Sequence, residues 1–418
     1  MKVAVIGAGI SGLTAAYKLA PRCEVTVFES ADRLGGHTAT VDVTHGGQEW
    51  AIDTGFIVFN EWTYPNFIAL LKELNVEVQE TEMSFSVSCE DSGLEYGGNN
   101  LNTLFAQRRN IVSPYFLRLV RDILRFNKHS VLDLEAGKVS AELTLGEYLS
   151  SQSYSQGFIR HYLIPMGSAI WSCGFEEMLQ FPVAFFIQFF SNHGLLSVSH
   201  RPQWYTIKGG SRSYLTPLVA SFKDRIRLGI DIESVVRREN NIVINTQQHG
   251  EEQFDHVVFA CHSDQAMSLL ADPRASETSI LGAIPYQNND VVLHTDRDLL
   301  PKLQSTWSSW NYLLQAGATR KPVLTYNMNI LQCLESNDAF CVTLNATDRI
   351  DPKKVLGRFN YSHPQFTVQG ISAQQRWDEI NGVDNTWFCG AYWANGFHED
   401  GVVSALRVCE GLQRYIDV

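Results

Sequence analysis

Lys2-Val3-Ala4-Val5-Ile6-Gly7-Ala8-Gly9-Ile10-Ser11-Gly12 runs into the helix-forming stretch Leu13–Ala20, and then into Glu24-Val25-Thr26-Val27-Phe28-Glu29. An apolar strand, a G-x-G-x-x-G turn, a helix, a second strand and a terminal acid follow one another in the order that a dinucleotide-binding βαβ unit requires. Gly7 permits the tight turn, Gly9 lets the backbone approach a pyrophosphate, and Gly12 lets the helix pack against the strand. The free N–H groups at the start of the helix, Ile10 and Ser11 among them, face the anion. Glu29 follows Gly7 by 22 residues, where a carboxylate accepts hydrogen bonds from an adenosine ribose and disfavours a 2′-phosphate. A chance cluster of glycines in a plain strand–helix turn is the competing reading, and the ordered context argues against it.

Asp32-Arg33-Leu34-Gly35-Gly36-His37 comes next. Arg33 can pair with phosphate, and the two glycines bring a second backbone loop against the same ligand. A nicotinamide cofactor does not need this second loop, so FAD is the expected cofactor.

The bulk properties narrow the rest. With 44% hydrophobic and 19% charged residues, the 418-residue chain has the composition of a globular protein. Its net charge of −12 argues against nucleic acid, whose binding depends on a basic surface. Eight cysteines without a CxxC pair suit a reducing compartment and argue against a zinc site. No apolar run reaches the roughly 20 residues needed to span a bilayer, and Met1–Ile6 is too short for a signal-peptide core. The expectation is a cytoplasmic protein, with peripheral contact on the inner membrane face as a candidate. No HExxH spacing or nucleophile elbow is present, so no metal or hydrolytic centre is expected.

GAGISG with Glu29, DRLGGH, Ala51-Ile52-Asp53-Thr54-Gly55-Phe56 and Phe388-Cys389-Gly390-Ala391-Tyr392-Trp393 through Gly401 together resemble the flavin amine oxidase superfamily. That superfamily includes monoamine oxidases, protoporphyrinogen oxidase and phytoene desaturases. Lys208-Gly209-Gly210-Ser211 and Asp255–Ala260 are weaker echoes. The sequence is also similar to a bacterial subgroup of NAD/FAD-binding proteins, through Asn192-His193-Gly194-Leu195-Leu196, Val292–Asp296 and Gly396-Phe397-His398-Glu399-Asp400-Gly401. The resemblance implies an α/β fold with a split Rossmann-type FAD-binding domain and a mixed α+β substrate domain. Residues 1–80, 205–265 and 380–418 would form the first, and 81–204 and 266–379 the second.

It further implies non-covalent FAD. Cofactor contacts are expected from Leu34, Gly35, Gly36 and His37 in the second loop, and from Thr54, Gly55 and Phe56. Ile232 is the match for a backbone position that holds adenine, and Gly390, His398, Glu399, Asp400 and Val402 belong to the closing segment. A helix from about Val402 to Tyr415 would aim its N-terminus, at Asp400–Val403, toward the flavin pyrimidine ring. His398 and Glu399 are candidates for proton transfer, or alternatively loop anchors. Cys389 reads as a buried cysteine rather than a flavin thioether. Ala391 stands where many relatives carry an acid that binds the ribityl chain.

The subgroup accompanies enzymes that methylate or cyclopropanate fatty acyl chains. A lipid-like substrate and a fatty acyl methyltransferase partner are therefore expectations. The leading reading is desaturation by hydride abstraction. A redox-neutral double-bond isomerase and a non-catalytic flavin- and lipid-binding protein are the alternatives. Amine oxidation is disfavoured, because no lysine stands in Asp290-Val291-Val292-Leu293, where amine oxidases carry one near the flavin. The absence of a second GxGxxG points away from reduction by NAD(P)H. Phe181–Phe190 reads either as a core helix or as the lining of an apolar tunnel. Pro114–His129 reads as a helix whose Arg118, Arg121 and Arg125 form either a solvated face or a stripe for anionic lipid or an acyl carboxylate.

Overall fold

The computed structural model describes residues 1–239, 241–317 and 321–416. The alternation of side chains along its first strand sets the central layer. In β1 (Lys2–Ile6), Val3 and Val5 enter one apolar cluster and Ala4 and Ile6 another. A strand apolar on both faces belongs in the middle of a parallel sheet covered on both sides. That sheet has the order β10–β2–β1–β14–β20, all pairs parallel. Its other members are β2 (Glu24–Phe28), β10 (Ile226–Arg227), β14 (His256–Phe259) and β20 (Thr386–Phe388). Three distant stretches of chain therefore meet in one layer.

Helices α1 (Ile10–Leu19) and α6 (His398–Ile416) cover one face, through Leu13, Ala16, Val402 and Val408. The other face is covered by the antiparallel ribbon β11 (Ile232–Arg237), β12 (Ile242–Thr246) and β13 (Gly250–Phe254), and by a short helix carrying Ile280.

The second layer is a seven-stranded mixed sheet, β19–β15–β18–β17–β16–β7–β8. It is drawn from β7 (Phe85–Cys89), β8 (Glu95–Gly97), β15 (Tyr286–His294), β16 (Trp310–Leu314), β17 (Val323–Asn327), β18 (Cys341–Leu344) and β19 (Val355–Pro364). Between the two sheets lie the hairpin β3 (Thr40–His45) and β4 (Gln48–Asp53), and the small sheet of β5 (Val58–Asn60), β6 (Val78–Thr81) and β9 (Trp204–Ile207). Helix α2 (Pro65–Glu73) joins β5 to β6.

A helical layer holds α3 (Pro114–Glu135), α4 (Ile164–Trp171) and α5 (Val183–Asn192). The aromatic run settles as core. Phe181, Phe186 and Phe190 are buried, and their rings pack with Trp171 and Phe126.

Two expected boundaries move. Helix α6 begins at His398, not near Val402, so His398, Glu399 and Asp400 form its first turn. Helix α3 extends to Glu135, six residues past His129.

Candidate functional site

Gly9 is the N-cap of α1, with φ −78° and ψ −176°, and no side chain caps this helix. Its backbone is ordinary extended chain that any residue adopts. A Cβ built on Gly9 would meet no protein atom within 4 Å. Gly12 differs, since a Cβ there would lie 1.9 Å from the Gly7 carbonyl oxygen. The fold thus requires a glycine at position 12 and not at position 9. The uncapped helix start opens onto free space suited to an anion.

The Glu29 carboxylate bounds this space, accepting from the amides of Ala8 at 2.7 Å and Ala31 at 2.9 Å. Gly229 and Ile230 donate to the carbonyls of Ala31 and Glu29, which brings the head of β11, with Ile232 as its first residue, near the same strand end.

The second glycine loop lies against the first. The Gly35 amide donates to the Ala8 carbonyl at 2.8 Å, and a Cβ on Gly36 would sit 3.3 Å from Gly9 Cα. Arg33, itself exposed, bends back on its own loop, donating to the carbonyls of Gly36 at 2.9 Å and of Leu34 and Thr38 at 3.3 Å each. In this geometry it braces the loop rather than reaching outward. Phe56 donates from its amide to the His37 carbonyl at 2.7 Å, and Gly55 packs on the same carbonyl. Thr54 bonds the Ala39 carbonyl and the Tyr361 hydroxyl.

Asp53 explains the block that carries these residues. Its buried carboxylate accepts from Thr40 Oγ1 at 2.5 Å, and from the Ser211 amide and hydroxyl at 2.8–3.0 Å. It stitches the hairpin to the Lys208–Ser211 turn, and burial raises its pKa to about 6. Asp53→Ala leaves two buried donors on Ser211 and the half-buried Thr40 hydroxyl without this acceptor and is expected to cost about 3 kcal/mol. A lower urea midpoint at unchanged slope is the measurement.

The closing helix arrives against these loops. A Cβ on Gly401 would lie 2.8 Å from Ser11 Oγ and 2.9 Å from Ile10, so the first turns of α1 and α6 touch. Val402 is buried beside them, and the Gly390 amide donates to Ser404 Oγ at 3.0 Å. His398 stacks on Phe56 with ring centroids 3.5 Å apart. Its Nε2 lies 3.0 Å from Thr38 Oγ1 and 3.3 Å from the Tyr214 hydroxyl. Burial pushes its pKa down to about 3, so the ring is neutral near pH 7.

Glu399 is spent on structure. Its carboxylate accepts from the amides of Asn66 at 3.0 Å and Phe67 at 2.8 Å, and from Asn66 Nδ2 at 2.7 Å. It caps the N-terminus of α2, as an acid does favourably. Of the two readings of Glu399, the geometry selects the loop anchor. Asp400 accepts from the amides of Phe397 at 2.8 Å and Asn395 at 3.2 Å, and burial raises its pKa to about 7. Cys389 is fully buried in the apolar cluster with Val402 and Val408, and burial raises its thiol pKa.

Two features were not read from the sequence. A cavity of about 370 Å³ opens beside the tip of α6, lined by Trp62, Tyr64, Asn192, His193, Phe397, Glu399 and Asp400 among others. Separately, His37, His262, His363 and Tyr361 gather from three segments, with ring centroids 5.2–6.2 Å from His37. Burial lowers the pKa of each histidine. His37 Nε2 is shielded from solvent and has no hydrogen-bond partner among the described residues.

The open space before Gly9, the uncapped start of α1 and the orphaned His37 nitrogen all fit a large anionic cofactor laid along the two loops.

The sequence model described as "Flavin containing amine oxidoreductase" matches residues 10–325. No curated protein matches the chain. Among solved structures, cyclohexylamine oxidase from Brevibacterium oxydans IH-35A is similar, with 14% identity, 100% of this chain and 99% of that chain covered, and a TM-score of 0.70. A CLA-producing fatty acid isomerase from P. acnes has 14% identity, 99% and 98% coverage and a TM-score of 0.68. Putrescine oxidase bound to putrescine has 15% identity, 99% coverage of both chains and a TM-score of 0.68. At these identities the structures speak for the fold alone, and the family match covers well over half the chain. The chain belongs to the flavin containing amine oxidoreductase family and is an oxidoreductase that uses non-covalent FAD.

Proposed function

We propose that this oxidoreductase takes hydride from one carbon of a lipid-like, fatty acyl substrate while the adjacent carbon loses a proton, so that a double bond forms between them. Bound FAD supplies the hydride acceptor. The protein's part is to bind, orient and exclude water. The first turn of α6 places the positive end of a nineteen-residue helix at the junction of the two glycine loops, where it favours developing negative charge. Neutral His398, held by Thr38, Tyr214 and Phe56, keeps that turn in place without adding a competing charge.

The observation that carries the lipid reading is the continuity of the aromatic core with this turn. Phe189 stacks on His193 at 3.8 Å and on Phe397 at 5.3 Å, and Phe397 immediately precedes His398. A second observation is consistent with it. Strand β15 buries Val291, Val292 and Leu293, and no lysine among the described residues is buried. The same site favours a second reading, amine oxidation. Asp400 and Glu399 share the cavity with Trp62, Tyr64 and Phe397, a lining that attracts an ammonium group.

Anaerobic spectroscopy of the holoprotein tests both. Bleaching of the flavin band by methylated or unsaturated fatty acyl lipids is the expected result. Turnover of such a lipid without net bleaching identifies the isomerase. Tight lipid binding with no reduction identifies a delivery role. Bleaching by simple amines alone overturns the lipid reading.

A further inference from the structure

The solvent face of α3 is the feature that neither the fold nor the proposed chemistry uses. One side of this helix is committed to the core through Phe116, Leu119, Asp122, Phe126 and Ser130. The opposite side carries Leu117, Arg118, Arg121, Leu124, Lys128 and Leu132, which helical spacing gathers into one stripe. Leu117, Leu124 and Leu132 are 44%, 53% and 50% exposed. A helix that only rests in water has no reason to present three leucines there.

The cations beside them are equally uncommitted. Arg125 bonds the Gln152 carbonyl and lies over the Tyr154 ring, so it serves the fold. Arg118, Arg121 and Lys128 make no ion pair or side-chain hydrogen bond among the described residues.

More exposed apolar residues precede the helix in sequence. Val112, 79% exposed, and Ile111 lie in the short turn Arg108–Val112 that leads into α3, and Leu101 is also exposed. Half of the exposed large hydrophobic residues among the described residues fall between 101 and 132. From 101 to the end of α3 stand six arginines and lysines against three acids, the buried Asp122 and, in the last turn, Asp133 and Glu135, in a chain of net charge −12. Unpaired positive charge and exposed leucines thus share one face of α3 on an otherwise acidic protein.

We propose that this face docks on an anionic phospholipid bilayer, with the leucines at the level of the acyl boundary and Arg118, Arg121 and Lys128 among the headgroups. Interleaved leucines and cations along a helix are the pattern of an interfacial helix. A protein interface instead gathers aromatic anchors at its centre and keeps charge at its rim. No helix among the described residues is long and apolar enough to cross a membrane, so the contact is peripheral. The inner side of the same helix packs Phe126 against Phe158 and Phe186, in the aromatic core that reaches Phe397. Docking in this orientation brings that core close to the lipid.

Co-sedimentation of the holoprotein with vesicles tests this without any turnover, so its outcome is separable from the substrate assignment. The protein is expected to sediment with phosphatidylglycerol–phosphatidylcholine vesicles at low salt, weakly with phosphatidylcholine alone, and less at high salt. Arg118→Glu/Arg121→Glu/Lys128→Glu is expected to lower partitioning at least about a hundredfold, since each cation near an anionic surface is worth roughly fivefold. Leu117→Ser/Leu124→Ser/Leu132→Ser is expected to lower it as well. Both variants should keep the flavin spectrum, because every altered side chain is exposed. Failure of the wild type to sediment with anionic vesicles, or wild-type partitioning by the charge-reversed variant, overturns the proposal.

Discussion

Gly9→Val is expected to fold as the wild-type chain does and to be colourless. The reason is an asymmetry between two glycines of one motif. At Gly12 a side chain collides with the Gly7 carbonyl, so the protein itself demands glycine. At Gly9 the backbone is ordinary and the space in front is empty, so nothing in the protein demands it. A valine is a poorer N-cap than glycine and should cost about 1 kcal/mol, well short of unfolding the chain. It would fill the place where the backbone approaches the cofactor diphosphate, and FAD affinity is expected to fall by more than about a hundredfold. Gly12→Val should instead abolish folding. Thermal unfolding and flavin content of the two variants, measured side by side, separate a glycine kept for the ligand from one kept for the fold.

Acid lability is the second large effect. Burial holds His193, His294 and His363 at a pKa of about 4 and His398 at about 3, against an ordinary value near 6.5. For a histidine whose folded pKa is depressed, the unfolded chain binds protons that the folded chain refuses. The stabilisation is present above pH 6.5 and is lost as pH falls from 6.5 toward 4. Each such group is worth on the order of 2–3 kcal/mol across that window.

Asp53 and Asp400 act in the opposite sense. Their folded pKa values, about 6 and about 7, lie above the unfolded value, so they favour the folded chain as pH falls. Four histidines against two carboxyls leave a net loss on the order of 5 kcal/mol between pH 6.5 and 4, a large share of a typical domain's stability. Urea titrations from pH 7.5 to 4.5 are expected to show a steep fall below pH 6.5. His294→Gln, remote from the proposed cofactor loops, should flatten the slope. A midpoint independent of pH would contradict the assigned burial.

What the sequence disclosed, and what it withheld, follows the range of the interactions involved. The first βαβ unit is local: its glycines, its alternating valines and Glu29 lie within thirty residues and carry their roles in their order. The long aromatic run was ambiguous, because a buried helix and a tunnel lining use the same residues. Only the ring contacts of Phe181, Phe186 and Phe190 with Trp171 decided for core.

The start of α6 lies about four residues earlier than expected because Phe397, not a Ser, Thr, Asp or Asn, stands immediately before it. The polar residues of its first turn are used at long range or backward along the chain. Glu399 caps a helix 332 residues away, and Asp400 holds the Asn395–Phe397 turn. The histidine cluster draws on positions 37, 262 and 363, and the cavity on positions 62–65, 192–193 and 395–400. No spacing rule relates such segments. Their meeting depends on the crossing of two sheets, which pair Val3 with His256 and Ser86 with Asn311.

The most direct test is to denature the purified wild-type holoprotein, separate the chain from small molecules, and measure the flavin in each fraction. The account predicts equimolar FAD, all of it released, since Cys389 is packed in the apolar cluster with Val402 and Val408 and the cofactor would be held by backbone loops and a helix end. A chain that takes up no FAD on reconstitution, or one that keeps its flavin attached after denaturation, would contradict it.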